Sequence, residues 1–414
     1  MTVSEINAPV TSKDVTKFLV ESNTIDDPMS RGIRKSHTME VEGKLLELFC
    51  SDNPPQSSLE YHVRGMVFCE DNVVLRGFPY SKEHVITSDT IYANAIEGDN
   101  WVVTEAIEGT LIRVFYFNNK WMITTHRKLD AYKSKWGNEK SFGDLFKDAV
   151  LRKTGGDFND FLEDLNKNFQ YTFLITATEA TRFVCNATNN PIVYLYAITD
   201  KTTTMIATDN AEMKKWNEWK QPSLDLDFNS AVDFVRGLTF PFKCQGVIFF
   251  NTKTLESHKL VNAEYQEYFD IRGGNIPSVP FAYLHIMGDQ KKIEKFRKII
   301  SDKDAETIDK YDKVLSDLVV ELHQLYIKRY IEKDHEMKTD QTKHKFLLAL
   351  HEWFKTEREE KVGTKIKVTQ KVVETVLFSS DPPVINKLIR EKIRPPSANA
   401  SPTSSTSSSP VRER

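Results

Sequence analysis

A carboxylate, a glycine and a set of scattered cations are the residues of this chain best suited to chemistry. The first two stand together in Glu105-Ala106-Ile107-Glu108-Gly109-Thr110, inside the segment 104–131. Glu105 to Gly109 reads as a strand ending in a tight glycine turn. A hairpin then runs through Arg113 and Trp121, and the basic stretch His126-Arg127-Lys128 follows it. Other short strand-like segments carry Arg64, Arg76, Lys82 and Lys259. Gathered into one groove, such cations would bind phosphodiesters regardless of sequence and with strong salt dependence. Each piece also has a plainer reading. Arg127 and Lys128 taken alone are solvated turn charges, and Gln245-Gly246 is a bulge in a buried strand. Tyr265, Tyr268 and Phe269 are core aromatics.

Other chemistries find no support. The four cysteines, Cys50, Cys69, Cys185 and Cys244, stand far apart with no CxxC, against both a zinc ribbon and a disulfide scaffold. His126, His258, His285 and the His344/His351 pair form neither HExxH nor a ligand triad, so no metal site is expected. Ser81, Ser134 and Cys244 lack the setting of an activated nucleophile. With 414 residues, 28% of them charged, and a net charge of −3, the chain has no general basic coat, although a local basic cleft is compatible. The N-terminus lacks the basic-then-apolar order of a signal peptide. No apolar run reaches the roughly 18–20 residues of a membrane span. A soluble intracellular protein in a reducing compartment, without membrane contact, is expected.

The elements that must position these residues are legible in outline. Residues 1–29 read as a polar arm with a short amphipathic helix near Val15–Ser22. From Met39 to Tyr283 short Val/Ile/Phe/Tyr-rich runs alternate with turns, of which Glu70-Asp71-Asn72 and Asn118-Asn119 are hairpin signals. Helical patches at 141–152 and 158–169 interrupt them. That mixture predicts an α+β unit of antiparallel sheets over 30–287. After Gly288 the texture changes. Ile308, Tyr311, Leu315, Leu318, Leu322 and Leu325 recur at helical spacing. Further helices are expected near Phe346–Phe354, Val368–Leu377 and Val384–Ile389, giving a helical domain over 288–392. The Ser/Pro/Thr-rich stretch 393–414 cannot bury enough apolar area to order itself and is expected to be disordered.

Taken in chain order, the segments around Arg64, Arg76–Lys82, Glu105–Gly109, Thr125–Arg127, Thr172–Asn186, Gln245-Gly246 and Lys259–Tyr265 resemble the covalent nucleotidyltransferase superfamily. The likeness is to phage-type RNA ligases, over roughly residues 60–285. Within these the chain is similar to RNA-ligase-like proteins of large cytoplasmic DNA viruses, the iridovirus immediate-early family among them. The resemblance implies a ligase-like nucleotidyltransferase domain followed by the helical domain, in a protein at work in the cytoplasm or nucleus of an infected cell. It also implies a lysine, three positions before Gly109, that attacks the α-phosphate of ATP or GTP. Here that position holds Ala106. Glu108 matches the acidic member of the motif, and Arg127 an arginine that steadies the nucleotide. Arg64, Arg76 and Lys82 match the upstream basic residues. Thr172 to Ile175 is apolar where the third motif carries an acid. Gln245 replaces the acid before Gly246, and of two lysines only Lys259 remains.

Mg²⁺ takes oxygen ligands, and a neutral amide is a poorer one than a carboxylate. Without its lysine the covalent step is gone outright. The expectation is a pseudoenzyme with no catalytic residue and no cofactor. It would bind RNA or single-stranded nucleic acid through Arg64, Arg76, Lys82, Glu108, Gly109, Arg127, Gln245 and Lys259. One alternative is an active ligase with a displaced lysine, Lys120 or Lys128, using ATP or GTP with Mg²⁺. Another is an interaction protein that recruits partners through 288–414.

Overall fold

The computed structural model describes residues 32–393 except 52–57, 71, 88–95, 97–98, 137–138, 180, 201–209, 275, 277, 335 and 361–365. The expected N-terminal helix and the Ser/Pro/Thr tail lie outside the described residues. The chain divides into two compact units, Met1–Pro277 and Ser278–Arg414, ahead of the Gly288 at which the sequence texture changes.

Among its described residues the first unit holds three four-stranded sheets. β1 (Ile33–Val41), β2 (Lys44–Ser51), β3 (Arg64–Cys69) and β4 (Asn72–Leu75) form an antiparallel meander, with the short helix α1 (Ser58–His62) between β2 and β3. A second sheet has the order β5-β12-β11-β6, from β5 (Lys82–Ile86), β6 (Trp101–Glu105), β11 (Gly246–Asn251) and β12 (Ser257–Asn262). It is antiparallel except where β5 runs parallel to β12. The third, order β10-β9-β7-β8, joins β7 (Gly109–Phe117), β8 (Lys120–Thr124), β9 (Phe169–Thr176) and β10 (Val193–Asp200), all antiparallel. Asn118 and Asn119 turn β7 into β8 with φ of 45° and 64°, the left-handed pair that a two-residue hairpin requires.

This third sheet is the central layer. Strand alternation puts Ile112 and Val114 of β7, with Tyr171, Phe173 and Ile175 of β9, on one face. There they pack on α2 (Phe142–Thr154) and α3 (Phe158–Glu163). Phe115 and Met122 point the other way, onto Leu46, Leu48, Val67 and Leu75 of the first sheet. Further along, Ala197 meets Phe78 and Phe250, which ties the layer to the second sheet.

The helical patch expected over 158–169 stops at Glu163, because the chain must enter β9 at Phe169. Among the described residues of this unit, α1 was not anticipated, nor were α4 (Ala211–Lys215), α5 (Phe228–Arg236) and α6 (Ala263–Ile271). α5 covers the second sheet with Ala231, Val232 and Val235.

The second unit is helical: α7 (Val279–Tyr283), α8 (Gln290–Arg297), α9 (Asp302–Tyr326), α10 (Gln341–Glu360), α11 (Gln370–Phe378) and α12 (Pro382–Ile393). The apolar stripe of α9 is its core seam, with Ile308, Leu315, Leu318 and Leu322 buried. α+β class, antiparallel sheets and a helical C-terminal region are therefore what the chain builds.

Candidate functional site

The turn at Ala106–Gly109 carries the chain from one sheet to another. β6 ends at Glu105, and Ala106 adds one more rung to its ladder. Its N–H donates to the Gly246 carbonyl, and its own carbonyl accepts from the Gln245 N–H, each at 2.9 Å. Ala106 is fully buried. Gly109 then opens β7, directly opposite Thr176 on β9. The glycines are set by close approach. A Cβ on Gly109 would stand 2.2 Å from the Ile175 carbonyl oxygen, and one on Gly246 would stand 1.9 Å from that of Leu260.

Glu108, buried in this turn, accepts from three successive amides: Phe183 at 2.8 Å, Val184 at 2.9 Å and Cys185 at 3.1 Å. The Tyr265 hydroxyl donates to it as well, at 2.7 Å. Charge-assisted bonds of this kind anchor the loop after β9 and the start of α6 to the motif turn. Burial, with the Glu108 charge next in size, raises the Cys185 thiol and the Tyr265 phenol. Three of these four donors fall on Oε1 and one on Oε2, so the Glu108 carboxylate is bonded chiefly within the protein.

Lysines 259 and 82 also meet protein carboxylates. Lys259 of β12 is in register with Glu83 of β5, its ammonium 3.1 Å from that carboxylate. Two residues further along β12, Val261 is in register with Gly246, the residue after Gln245. Ala106, Glu108, Gln245 and Lys259 thus share one neighbourhood. Lys82, one residue from Glu83 and so on the opposite face of β5, donates to Glu256 at 2.7 Å.

The arginines gather elsewhere in the unit. Arg113 is buried and donates to the carbonyls of Gly65 and, at 2.6 Å, of Thr125. Burial, and then Arg64, pull it down to about 10, with the Cys50 thiol opposing them. Arg64 lies over the Tyr80 ring, 5.0 Å from its centroid. Arg127 is exposed. All three act on the His126 imidazole, which burial first and then these cations push down to about 3. They act also on the Cys50 thiol, a donor to the His126 carbonyl. Arg76, half-buried and lowered by that burial, precedes Gly77 at the edge of the cluster. The cations expected in one groove therefore divide: Arg64, Arg113 and Arg127 converge, while Lys82 and Lys259 sit against carboxylates.

Arg64, Arg113 and His126, with Phe78, Leu111 and Thr172, border a cavity of about 20 Å³. That is room for one water. Phe78, Tyr196 and Phe250 form a close aromatic trio beside it, with ring centroids 5.3–5.6 Å apart.

A nucleotide with Mg²⁺ does not fit the donor set at the motif turn. The nucleophile position is a buried methyl group, Gln245 is neutral, and Glu108 is committed. Sequence reading stopped at Ile175 and missed the next residue, Thr176. The register opposite Gly109 makes it the β9 position from which a side chain would reach the turn, and its hydroxyl pairs with that of Thr188 at 3.0 Å. Among the described residues no group of three or more His, Cys, Asp or Glu could hold a metal. Lys120 stands beyond the far end of β7, roughly 27 Å from the turn by strand rise, 3.4 Å from the Glu42 carboxylate. No helix among the described residues is long and apolar enough to cross a membrane.

No family model matches the chain. Among solved structures it is similar to an archaeal ATP-dependent RNA ligase, with a TM-score of 0.40 and 12% identity over 72% of this chain and 74% of that one. It is 35% identical, over 44% of its length and 39% of the relative's, to the immediate-early protein ICP-46 homologue of Invertebrate iridescent virus 3. To the ICP-46 homologue of Invertebrate iridescent virus 6 it is 61% identical, over 97% of its own length and 94% of the relative's. Identity at that level along nearly the whole of both chains leaves one conclusion: the chain belongs to the iridovirus immediate-early ICP-46 family.

Proposed function

We propose that this is a ligase-like scaffold from which nucleotide-transfer chemistry has been erased, and that it binds RNA or single-stranded nucleic acid inside the infected cell. The observation that carries the reading is that Arg64, Arg113 and His126 border one cavity, with Arg127 the next residue after His126. Arg113 is spent on two carbonyls and shapes the cluster. Arg64 and Arg127, half-buried and exposed, are the groups that reach phosphate. The neutral residues Ala106, Thr176 and Gln245 support the loss of catalysis, since neither a covalent lysyl intermediate nor a carboxylate-held Mg²⁺ can be built from them.

Binding through arginine needs no bridging metal. Affinity for a single-stranded RNA should therefore be the same with Mg²⁺ or with a chelator once ionic strength is matched. It should fall with salt, with a log–log slope of about −1.5 to −2 if two or three phosphates are engaged. Arg64→Ala or Arg127→Ala should each cost about 1–3 kcal/mol. Filter binding across a salt series reads all three. Affinity undetectable at low salt, or indifferent to both substitutions, would put partner recruitment through 288–414 in its place.

A further inference from the structure

A cavity of the first unit lies away from the motif turn, where α3 and the segment 211–219 meet over the central sheet. It measures about 610 Å³. Its floor is aromatic: Phe161 stacks on Trp219 at 5.4 Å, and Trp216 meets Trp219 edge-on at 5.2 Å. The Trp216 indole is held in place by its N–H donating to Glu212 at 2.7 Å. The rim carries Asp157, Asp160, Glu163 and Asp164 together with Lys215.

Both indoles already carry an ammonium from this chain. Lys215 Nζ lies 5.4 Å from the Trp216 ring centroid and also pairs with Asp164 at 2.5 Å. Lys153 Nζ lies 5.2 Å from that of Trp219. An indole face attracts cations through its quadrupole, and a carboxylate rim adds the matching charge. Lys153 and Lys215 are exposed surface side chains, so an incoming cation can displace them at small cost. We propose that this cavity is a second binding site, for a lysine-rich segment of a partner protein, with the chain's own lysines as placeholders. The observations differ from those behind the nucleic-acid reading, and the two stand or fall separately.

Fluorescence anisotropy of labelled hexalysine against the full-length protein tests it, with hexaglutamate as the negative probe. Asp160→Asn with Glu163→Gln should weaken hexalysine about tenfold. Trp219→Leu, which leaves charge unchanged, should weaken it about fivefold. Lys215→Ala should tighten it, because Asp164 and the Trp216 face become available. If the Trp219 variant does not fold, the Lys215 variant still decides. An equal loss in a control pair on the helical unit, Asp302→Asn with Glu306→Gln, would reduce the effect to general charge and overturn the proposal. So would unchanged affinity in Lys215→Ala, or displacement of hexalysine by spermine at equal charge, which would assign the cavity to small polyamines.

Discussion

The main chains of Ala106 and Gln245 are joined by a hydrogen bond of 2.9 Å, from the Gln245 N–H to the Ala106 carbonyl. Two positions far apart in sequence, each holding a neutral residue where a nucleotidyltransferase would need a charged one, are thus direct neighbours. On the proposed reading, substitution has emptied both sides of one place while the backbone that builds it is kept. The glycines next to each, Gly109 and Gly246, still permit the strand contacts that a Cβ would block.

Glu108 is the anchor of that place, and removing its charge should be costly. Glu108→Gln puts an amide donor against three N–H groups and a hydroxyl, so at least one of them loses its acceptor. The expected loss of stability is about 2–4 kcal/mol. Tyr265→Phe, which removes one donor of the four, should cost about 1–2 kcal/mol. Chemical denaturation followed by near-ultraviolet circular dichroism measures both. A Glu108→Gln protein as stable as the parent would mean that these four bonds do not anchor the fold.

Gly65 couples the fold to the arginine cluster. Its φ is +73°, and a Cβ there would lie 2.7 Å from the His126 carbonyl oxygen and 2.9 Å from Arg113 Nη1. Gly65→Ala should cost about 2–4 kcal/mol, the sum of left-handed backbone strain and the clash. Because the clash pushes on His126 and Arg113, RNA affinity should fall together with the melting temperature. Full affinity at a lowered melting temperature would separate this turn from binding.

Acid should loosen the first unit through two histidines. His126 is pushed down to about 3 and His258 to about 4, in each case by burial before any charge. For His258 the neighbours Lys82 and His84 act in the same direction and Glu256 against it. Both folded values lie below the unfolded 6.5. Between those limits the unfolded chain takes up protons that the folded chain refuses. Stability is therefore complete above the unfolded value and falls as pH drops toward the folded ones. The ceiling is about 1.4 kcal/mol per pH unit for each histidine. Melting temperatures measured from about pH 7 to pH 5 should decline, and His126→Gln or His258→Gln should flatten the decline. A parallel curve in both variants would assign the acid sensitivity to other groups.

Local signals in the sequence foretold the local structure. The asparagine pair at 118–119 marks its hairpin because few side chains tolerate two successive left-handed residues. The long stripe on α9 needs only one face of one helix. What escaped depends on distant pairing. Nothing near Glu108 says that its partners are the amides of 183–185, and Thr176 matters only through its register with Gly109. Nor does anything near Lys82 and Lys259 say that strand pairing sets Glu256 and Glu83 against them. A closer reading would have found α5, where Asp227 caps the helix and Ala231, Val232 and Val235 follow at helical spacing.

The central claim is that the scaffold has lost the covalent step, and the direct test is nucleotide transfer to the protein itself. The full-length chain is incubated with ATP or GTP labelled at the α-phosphate, in the presence of Mg²⁺ or Mn²⁺, then denatured and separated by electrophoresis. With Ala106 at the turn there is no amine to take up the phosphoryl group, so no label should travel with the protein. A labelled band whose bond has the acid lability of a lysyl phosphoramidate, lost on mutation of Lys128 or another lysine, would contradict the account and restore the chain to the enzymes.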